Sequence, residues 1–207
     1  MYPWYRDTVV LPDQYEQLVA ELGPSLSSGT VRVRGKSYTE PRLTGLFSPL
    51  AQTMKYSGRT AQAMLPPPTL AALLELINSQ SFQEAVAERE PRLAGIIPQF
   101  NSIFVNHYRP LSEDHLGLHS DSLADHASEV ILSLTFCQKQ GARIFRFFAK
   151  GSTTTHTQME LQTGEMLWML PGCQAQFSHA VNYRKTNLAG ERITGGRLNL
   201  TFRCLKL

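Results

Sequence analysis

Seven short segments between residues 100 and 203 are rich in β-branched or aromatic side chains, and Gly, Pro, Asn or Ser separates them. This texture is typical of β-strands. No helical pattern lies between the segments, so they predict an antiparallel sandwich or jelly roll. The segments are SIFVNHY (102–108), EVILSLTF (129–136), ARIFRFFAK (142–150), MELQ (159–162), GEMLWML (164–170), AQFSHAV (175–181) and GRLNLTFR (196–203).

The first 98 residues contain helical patterns instead. DQYEQLVAELG predicts a helix that begins near Pro12 and ends at Gly23, and TLAALLELINSQ predicts a second helix with Thr69 as its N-cap. Ser81 and Glu84 have the spacing of a capping box, which predicts a third helix. Between the first two helices, VRVRGKSY predicts strands with a turn at Gly35.

Composition excludes several classes of protein. The chain has 207 residues, of which 42% are hydrophobic and 18% charged, values that argue against global disorder. Its net charge of +3 and pI near 8.8 permit a polyanionic partner without requiring one. The three cysteines are widely separated, so neither a disulfide framework nor a zinc knuckle is indicated. A reducing compartment fits this pattern best.

No membrane or export signal is evident in the sequence. The N-terminal residues lack a charged leader followed by an apolar core, and no apolar run approaches the roughly 18 residues of a membrane span. We therefore expect a soluble intracellular monomer, cytoplasmic or nuclear, with no membrane partner.

The C-terminal segment GRLNLTFR carries the most informative alternation. On a strand, Leu198, Leu200 and Phe202 share the apolar face, which we expect to pack into the sandwich core. The other face is polar and borders a cavity; its members are Arg197, Asn199, Thr201 and Arg203. A solvated strand face is the simpler alternative. Two guanidinium groups can bind a small dicarboxylate, because each pairs with a carboxylate bidentately.

The stretch GLHSDS contains a candidate metal site. On a strand, His119 and Asp121 point to the same side, so they could chelate a metal ion. His115 and His119 would instead share one face of a helix, as in zinc hydrolases, but Gly117 lies between them. His179 is a third candidate ligand, 60 residues beyond His119.

Two further side chains extend the candidate site. Asn106 and Tyr108 share one face of the segment that leads towards His119, although a core tyrosine and an edge asparagine would have the same pattern. Two histidines and one carboxylate bind iron(II) while leaving positions open for a co-substrate and dioxygen. A dicarboxylate that chelates iron and is anchored by arginine is 2-oxoglutarate, so one chemistry accounts for both clusters.

In its motifs FNSIFVNHY, HSD, the lone His179 and RLNLTFR, the chain resembles the AlkB-type iron(II)- and 2-oxoglutarate-dependent dioxygenases. A weaker likeness covers EPRLTGLF (40–47) and KYSG (55–58), which look like a substrate-lid segment. The resemblance implies a double-stranded β-helix, a mainly β fold with flanking helices, behind an N-terminal α/β lid. Because the sequence pattern changes from helical to strand-like near Pro98, we divide one integrated domain into a helical and lid region, 1–98, and a catalytic core, 99–207.

The resemblance also implies an activity and a set of roles. The activity is oxidative demethylation of 1-methyladenine- or 3-methylcytosine-type bases in DNA or RNA, with Fe(II), 2-oxoglutarate and O2. His119, Asp121 and His179 would hold the iron, and Tyr56 would stack on the flipped base. The 2-oxoglutarate residues would be Asn106, Tyr108, Arg197, Asn199, Thr201 and Arg203, the last also counted as catalytic. Which arginine takes which carboxylate stays open.

Two positions depart from the family pattern. Members that act on those bases usually have an acidic residue two positions after HxD, where this chain has Leu123; Asp125 or Glu129 could substitute. Duplex-active members carry an aromatic residue at a hairpin tip where this chain has Arg34. An arginine fills the gap left by a flipped base in a duplex less well than an aromatic side chain does. We therefore expect the protein to prefer single-stranded DNA or RNA, with Arg34 contacting the strand, unless Arg34 is merely a solvated turn residue.

Two alternatives to base demethylation remain. The same iron and 2-oxoglutarate site could oxidise a protein or a small molecule, which Leu123 favours. In the second alternative, the chain is a jelly-roll module that binds a metal or a partner and has no oxygenase activity. Turnover of a methylated oligonucleotide separates the first alternative from base demethylation, and 2-oxoglutarate-dependent succinate release separates both enzymes from the module.

Overall fold

A computed structural model describes residues 2–12, 14–33, 35–56, 58–181 and 185–207, without the side chains of Arg32 and Val33. The helices are α1 (Tyr15–Leu22), α2 (Pro68–Asn78), α3 (Gln80–Arg89) and the single turn α4 (Cys173–Gln176). The strands before residue 98 are β1 (Trp4–Thr8), β2 (Thr30–Val33), β3 (Lys36–Thr39), β4 (Leu43–Phe47), β5 (Thr53–Tyr56) and β6 (Arg59–Gln62). The later strands are β7 (Ser102–Tyr108), β8 (Leu116–His119), β9 (Ile131–Cys137), β10 (Ile144–Ala149), β11 (Thr155–Glu160), β12 (Glu165–Met169), β13 (Phe177–Val181) and β14 (Arg197–Arg203).

The larger sheet has six antiparallel strands in the order β1-β12-β9-β14-β7-β4. One of its two central strands, β14, pairs with β7 on one side and with β9 on the other. The apolar side chains Leu198, Leu200 and Phe202 belong to one core cluster with residues of α1, α2 and α3. The prediction that this face packs into the sandwich core was therefore wrong: it packs against the helices, and the opposite, polar face is the one turned towards the second sheet.

The smaller sheet has the order β11-β10-β13-β8, and a second core cluster joins it to the larger sheet. Tyr108 and Ile131 of the larger sheet contribute to this cluster with Phe145, Phe147 and Val181 of the smaller one. Two facing antiparallel sheets with helices behind one of them confirm the predicted jelly roll with flanking helices.

Segments before residue 98 also take part in the sheets. β1 pairs with β12 at one edge of the larger sheet, and β4 pairs with β7 at the other. Two separate hairpins, β2-β3 and β5-β6, also lie in this part of the chain. The turn of the first hairpin lies at Gly35, where a φ of 78° favours glycine. The division of the domain at residue 98 stays a prediction.

The predicted helices form, but their N-termini differ from the predictions. α1 begins at Tyr15 rather than near Pro12, and it ends before Gly23 as predicted. α2 begins at Pro68, because proline is well suited to the first helical position, and Thr69 is therefore inside the helix rather than its N-cap. The N-cap of α3 is Ser79, whose side chain accepts from the Phe82 N–H, so the predicted capping box at Ser81 was wrong.

The boundaries of two strands also differ from the predictions. β11 begins at Thr155, four residues before the predicted segment MELQ, and residues 175 and 176 belong to the helical turn α4 rather than to β13. None of the helices in the described residues is both long and apolar enough to cross a membrane.

Candidate active site

Three candidate metal ligands converge at one end of the space between the sheets. His119 ends β8 and lies directly opposite His179 of β13, with the ring centroids 4.3 Å apart. Asp121 follows two residues later, and its Oδ1 lies 3.6 Å from Nε2 of His119. One ligand atom from each of the three residues lies within 4.8 Å of the others, close enough to hold one metal ion.

The surroundings of both histidines favour metal binding. Nδ1 of His119 lies 2.9 Å from the carbonyl oxygen of Gly117, which can only accept, so Nδ1 donates and Nε2 is the ring nitrogen suited to bind a metal ion. Burial, with the neighbouring His119, lowers the pKa of His179 to about 3. A metal ion needs the unprotonated imidazole, so this environment favours binding.

Asp121 is held as a carboxylate by its surroundings. Burial alone would raise its pKa, but Nη2 of Arg203, at 3.2 Å from Oδ1, and the two histidines outweigh burial and hold the pKa well below its usual value. The backbone N–H of Asp121 donates to Oε1 of Gln174 at 2.9 Å, which fixes the backbone at this residue.

The alternative pairing of His115 with His119 is excluded by the secondary structure. The segment from Leu116 to His119 is a strand, so the helical face that this pairing requires does not exist. Nδ1 of His115 lies 2.9 Å from the Glu113 carbonyl oxygen, and His115 does not belong to the metal-ligand group found in the described residues.

A cavity of about 250 Å³ lies beside the three ligands. Most residues that the sequence predicted for the site line it together; these are His119, Asp121, His179, Asn106, Tyr108, Asn199, Thr201, Arg203 and Tyr56. Arg197 does not line the cavity directly but lies behind Tyr108, with its guanidinium carbon 5.4 Å from the centre of the tyrosine ring.

Arg197 is a buried cation that lacks a carboxylate among its described contacts. Its side chain is 1% exposed, and Nη2 donates to Oγ1 of Thr135 at 3.0 Å. In the described part of the chain, Nε and Nη1 of Arg197 and the hydroxyl of Tyr108 have no partner within normal hydrogen-bond geometry, although the guanidinium and the hydroxyl interact electrostatically with each other. Burial lowers the pKa of Arg197. Unsatisfied buried donors on a cation fit a site for an anion, since burying an unpaired charge is costly.

The second arginine of β14 has different contacts. Arg203 bonds Asp121 through Nη2, and its Nη1 lies 3.2 Å from Nε2 of His126, which accepts the hydrogen bond. Burial and the charge of Arg203 lower the pKa of His126 to about 4, so this imidazole is neutral. The contacts of the two arginines therefore differ. Arg203 pairs with Asp121 and His126 and keeps only Nε without a described partner, whereas two nitrogens of Arg197 have none.

Asn199 and Thr201 line the cavity but are bonded within the protein. Asn199 Nδ2 donates to Ser133 Oγ at 2.6 Å, and the Thr201 hydroxyl donates to Asn199 Oδ1 at 3.3 Å. Their assignment to the co-substrate stays a prediction. Asn199 also joins β14 to β9, and Thr201 supports Asn199 within β14.

Arg42 lies at the site but was missed by the sequence analysis. Its Nε donates to Oδ1 of Asn106 at 2.7 Å, and its Nη2 pairs with Glu40 at 2.7 Å. With the Asn106 oxygen occupied, the amide N–H groups of Asn106 remain available to the cavity. The quoted segment EPRLTGLF contained Arg42, yet its partner lies 64 residues away, so no local spacing could reveal the pair.

Tyr56 lines the cavity within a hydrogen-bonded network. Its hydroxyl lies 3.1 Å from that of Thr44, its ring packs edge-on against Phe104 with centroids 4.7 Å apart, and the Arg59 guanidinium lies 4.4 Å above the ring centre. One face of the ring is thus already covered. Arg34, the other predicted substrate contact, lies outside the described residues.

The acidic substitutes considered for Leu123 do not reach the cavity. Leu123 packs against the core between the sheets, Asp125 accepts from the Lys55 backbone N–H at 2.9 Å, and Glu129 accepts from the Gly172 N–H at 2.9 Å. Neither carboxylate belongs to the described lining of the cavity.

Comparisons with known proteins agree with this geometry. The family model of the 2OG-Fe(II) oxygenase superfamily matches residues 12–203. Uncharacterized protein R406 of Acanthamoeba polyphaga mimivirus is 25% identical over 201 residues, which are 96% of this chain and 91% of that protein. The solved structure of OsALKBH1 aligns with a TM-score of 0.60 over 99% of this chain and 97% of that one, at 16% identity, and shows the same fold.

Proposed function

Because this chain belongs to the 2OG-Fe(II) oxygenase superfamily, we propose that it oxidatively demethylates a methylated nucleobase in DNA or RNA, preferably in a single strand. Its chemistry is that of an Fe(II)- and 2-oxoglutarate-dependent dioxygenase, with Fe(II), 2-oxoglutarate and O2 as cofactor and co-substrates. The observation that carries the choice of substrate is an aromatic wall, Tyr56 and Phe104, in the cavity that contains the three metal ligands.

The donor set fits iron(II), and the buried free donors fit 2-oxoglutarate. In this proposal His119, Asp121 and His179 hold the iron, and Arg197 with the Tyr108 hydroxyl binds the distal carboxylate of 2-oxoglutarate. Bound iron, with 2-oxoglutarate and dioxygen, supplies an oxidant that hydroxylates a methyl group while 2-oxoglutarate becomes succinate and carbon dioxide. The hydroxymethylated base then loses formaldehyde.

The side chains of this protein prepare the site for that reaction. Arg203 keeps Asp121 ionised, and His126 takes one N–H of Arg203 so that the other guanidinium nitrogen faces the carboxylate. Arg42 holds Asn106 so that its amide N–H groups can donate to a bound co-substrate. Apolar side chains of both sheets, such as Phe145 and Met169, keep bulk water away from the reacting groups.

The preference for single strands follows from the β2-β3 hairpin. Lys36 and Tyr38, two described residues of β3, are exposed. In the sequence, Arg34 stands where the resembling duplex-active members carry an aromatic residue that can act as a wedge in a duplex. Basic side chains here can track the backbone of a flexible strand.

Coupled product analysis tests the proposal. The enzyme is incubated with Fe(II), ascorbate, 2-oxoglutarate and a panel of methylated oligonucleotides, and succinate, formaldehyde and the repaired base are measured by mass spectrometry. We expect all three products in equal amounts with at least one base. Succinate without any change in the oligonucleotides would instead support the second candidate, oxidation of a protein or small molecule, which the lack of a free base-reading carboxylate in the described lining favours.

A further inference from the structure

We infer that the cavity selects a neutral methylated base with carbonyl acceptors, such as 3-methylthymine or 3-methyluracil, over cationic bases. The inference rests on the proposed function and narrows it. Both 1-methyladenine and 3-methylcytosine carry a positive charge at neutral pH, whereas an N3-methylated pyrimidinedione does not. Arg203 pairs with Asp121, and Arg42 and Arg59 pair with Glu40, so neither carboxylate is free to attract a cationic base.

The carboxylates near the cavity are already paired. Asp121 is the sole carboxylate among the described residues that line the cavity, and it contacts Arg203 as well as the facing histidines. Glu40, only 2% exposed, lies behind the wall between Arg42 and Arg59 and forms an ion pair with each. A cationic base would therefore find no unpaired carboxylate in the described lining.

One face of the Tyr56 ring is occupied by a cation of the protein. The ring of Tyr56 could stabilise a cation stacked on it, but the Arg59 guanidinium already lies 4.4 Å above its centre. Arg59 is held there by Glu40 and by the hydroxyl of Thr44, which accepts from Nη2 at 2.8 Å. The face of the ring that Arg59 covers is therefore not open to a second cation.

The groups that remain available are hydrogen-bond donors. Lys55 lines the cavity from β5, and no described residue pairs with its ammonium group. The Ser122 hydroxyl, also in the lining, accepts from the Ala124 N–H at 3.4 Å, so its own proton is free to donate. Donors complement the carbonyl oxygens of a neutral pyrimidinedione, while a desolvated cation without a counter-charge is strongly disfavoured.

The test compares two bases that carry the methyl group on the same ring nitrogen. Single-stranded oligonucleotides of one sequence contain either 3-methylthymine or 3-methylcytosine, and kcat/KM is measured for each by mass spectrometry with Fe(II) and 2-oxoglutarate. We expect 3-methylthymine to be demethylated at least tenfold more efficiently. Equal or faster turnover of 3-methylcytosine would overturn the inference but leave nucleobase demethylation standing. Turnover of neither base, with 2-oxoglutarate still consumed, would overturn the inference and count against the proposed function.

A variant tests the cause of the selectivity. Arg59→Ala uncovers the Tyr56 ring and releases one partner of Glu40, so the preference for 3-methylthymine over 3-methylcytosine should shrink at least threefold. Arg89→Ala is the matched control, because it removes an exposed arginine whose ion pair with Asp7 does not involve the cavity lining. An unchanged ratio in folded Arg59→Ala protein would contradict the role given to the arginine.

Discussion

Replacing Arg197 by methionine should separate stability from co-substrate binding. The guanidinium is almost fully buried, and the contacts of its described surroundings include a hydroxyl and an aromatic ring but no carboxylate. Methionine has a similar length and no charge. In the free protein, the substitution therefore removes a desolvated cation. In the complex with 2-oxoglutarate, it removes the proposed anchor of the co-substrate.

The two effects have opposite signs. Replacing a buried charge with an apolar side chain of similar size is often neutral or stabilising by about 1–4 kcal/mol, so the free enzyme should not lose stability. Losing one partner of a buried charge pair costs roughly 2–5 kcal/mol of binding, which weakens 2-oxoglutarate about 30-fold to several thousand-fold.

Thermal unfolding with Mn(II) in place of iron measures both effects at once. At 100 times its Kd, 2-oxoglutarate should stabilise the parent protein by about 2.7 kcal/mol, which for a chain of this size raises Tm by roughly 5–10 °C. At the same concentration 2-oxoglutarate should stabilise the Arg197→Met protein by less than about 1 kcal/mol, so the rise in Tm should be at most about a third of that of the parent. Arg89→Met is the exposed control and should respond like the parent. A full 2-oxoglutarate shift in Arg197→Met would refute the assignment of the anchor.

Other predictions concern the metal, the pH dependence and the strand preference. Asp121→Ala should abolish metal binding, seen by calorimetric titration with Mn(II), and turnover, while circular dichroism stays unchanged; normal metal affinity would sink the ligand assignment. Lowering the pH from 6.5 should destabilise the metal-free protein. His179 and His126 take up protons in the unfolded protein, but in the folded protein their pKa values of about 3 and 4 keep them neutral. By pH 5 the loss should be about 2 kcal/mol for each histidine in urea unfolding, and His126→Gln should remove about half; a flat profile would contradict the buried neutral state. One methylated base should be repaired faster in a single strand than in a paired duplex at matched salt, and equal rates would refute the preference.

The alternation of polar and apolar side chains in β14 could be predicted from the sequence. Arg197, Asn199, Thr201 and Arg203 lie on one face of one strand, because period two is a local property of the backbone. The pattern also showed that the strand had an apolar face, but not what covers that face, since helices and a second sheet bury the same residue types. The three candidate metal ligands lie together as predicted, although His119 and His179 meet only through pairing between distant strands.

The residues missed by the sequence analysis depend on contacts between distant segments. Arg42 and His126 acquire their roles from Asn106 and Arg203, which lie far along the chain and reach them only through sheet formation. The N-terminal strand β1 was missed because five residues with a single buried side chain have little alternation to detect. The helix starts were misplaced since Thr69 and Ser81 are good capping residues by type, while Pro68 and Ser79 offered equally suitable starts nearby.

An anaerobic crystal structure with Mn(II) and 2-oxoglutarate tests the central assignment most directly. The metal should be bound by His119, Asp121 and His179, and the distal carboxylate of 2-oxoglutarate should lie against Arg197 and the Tyr108 hydroxyl, with Arg203 still paired to Asp121. A metal bound elsewhere, or a distal carboxylate held by Arg203 while Arg197 keeps its free donors, would contradict the account.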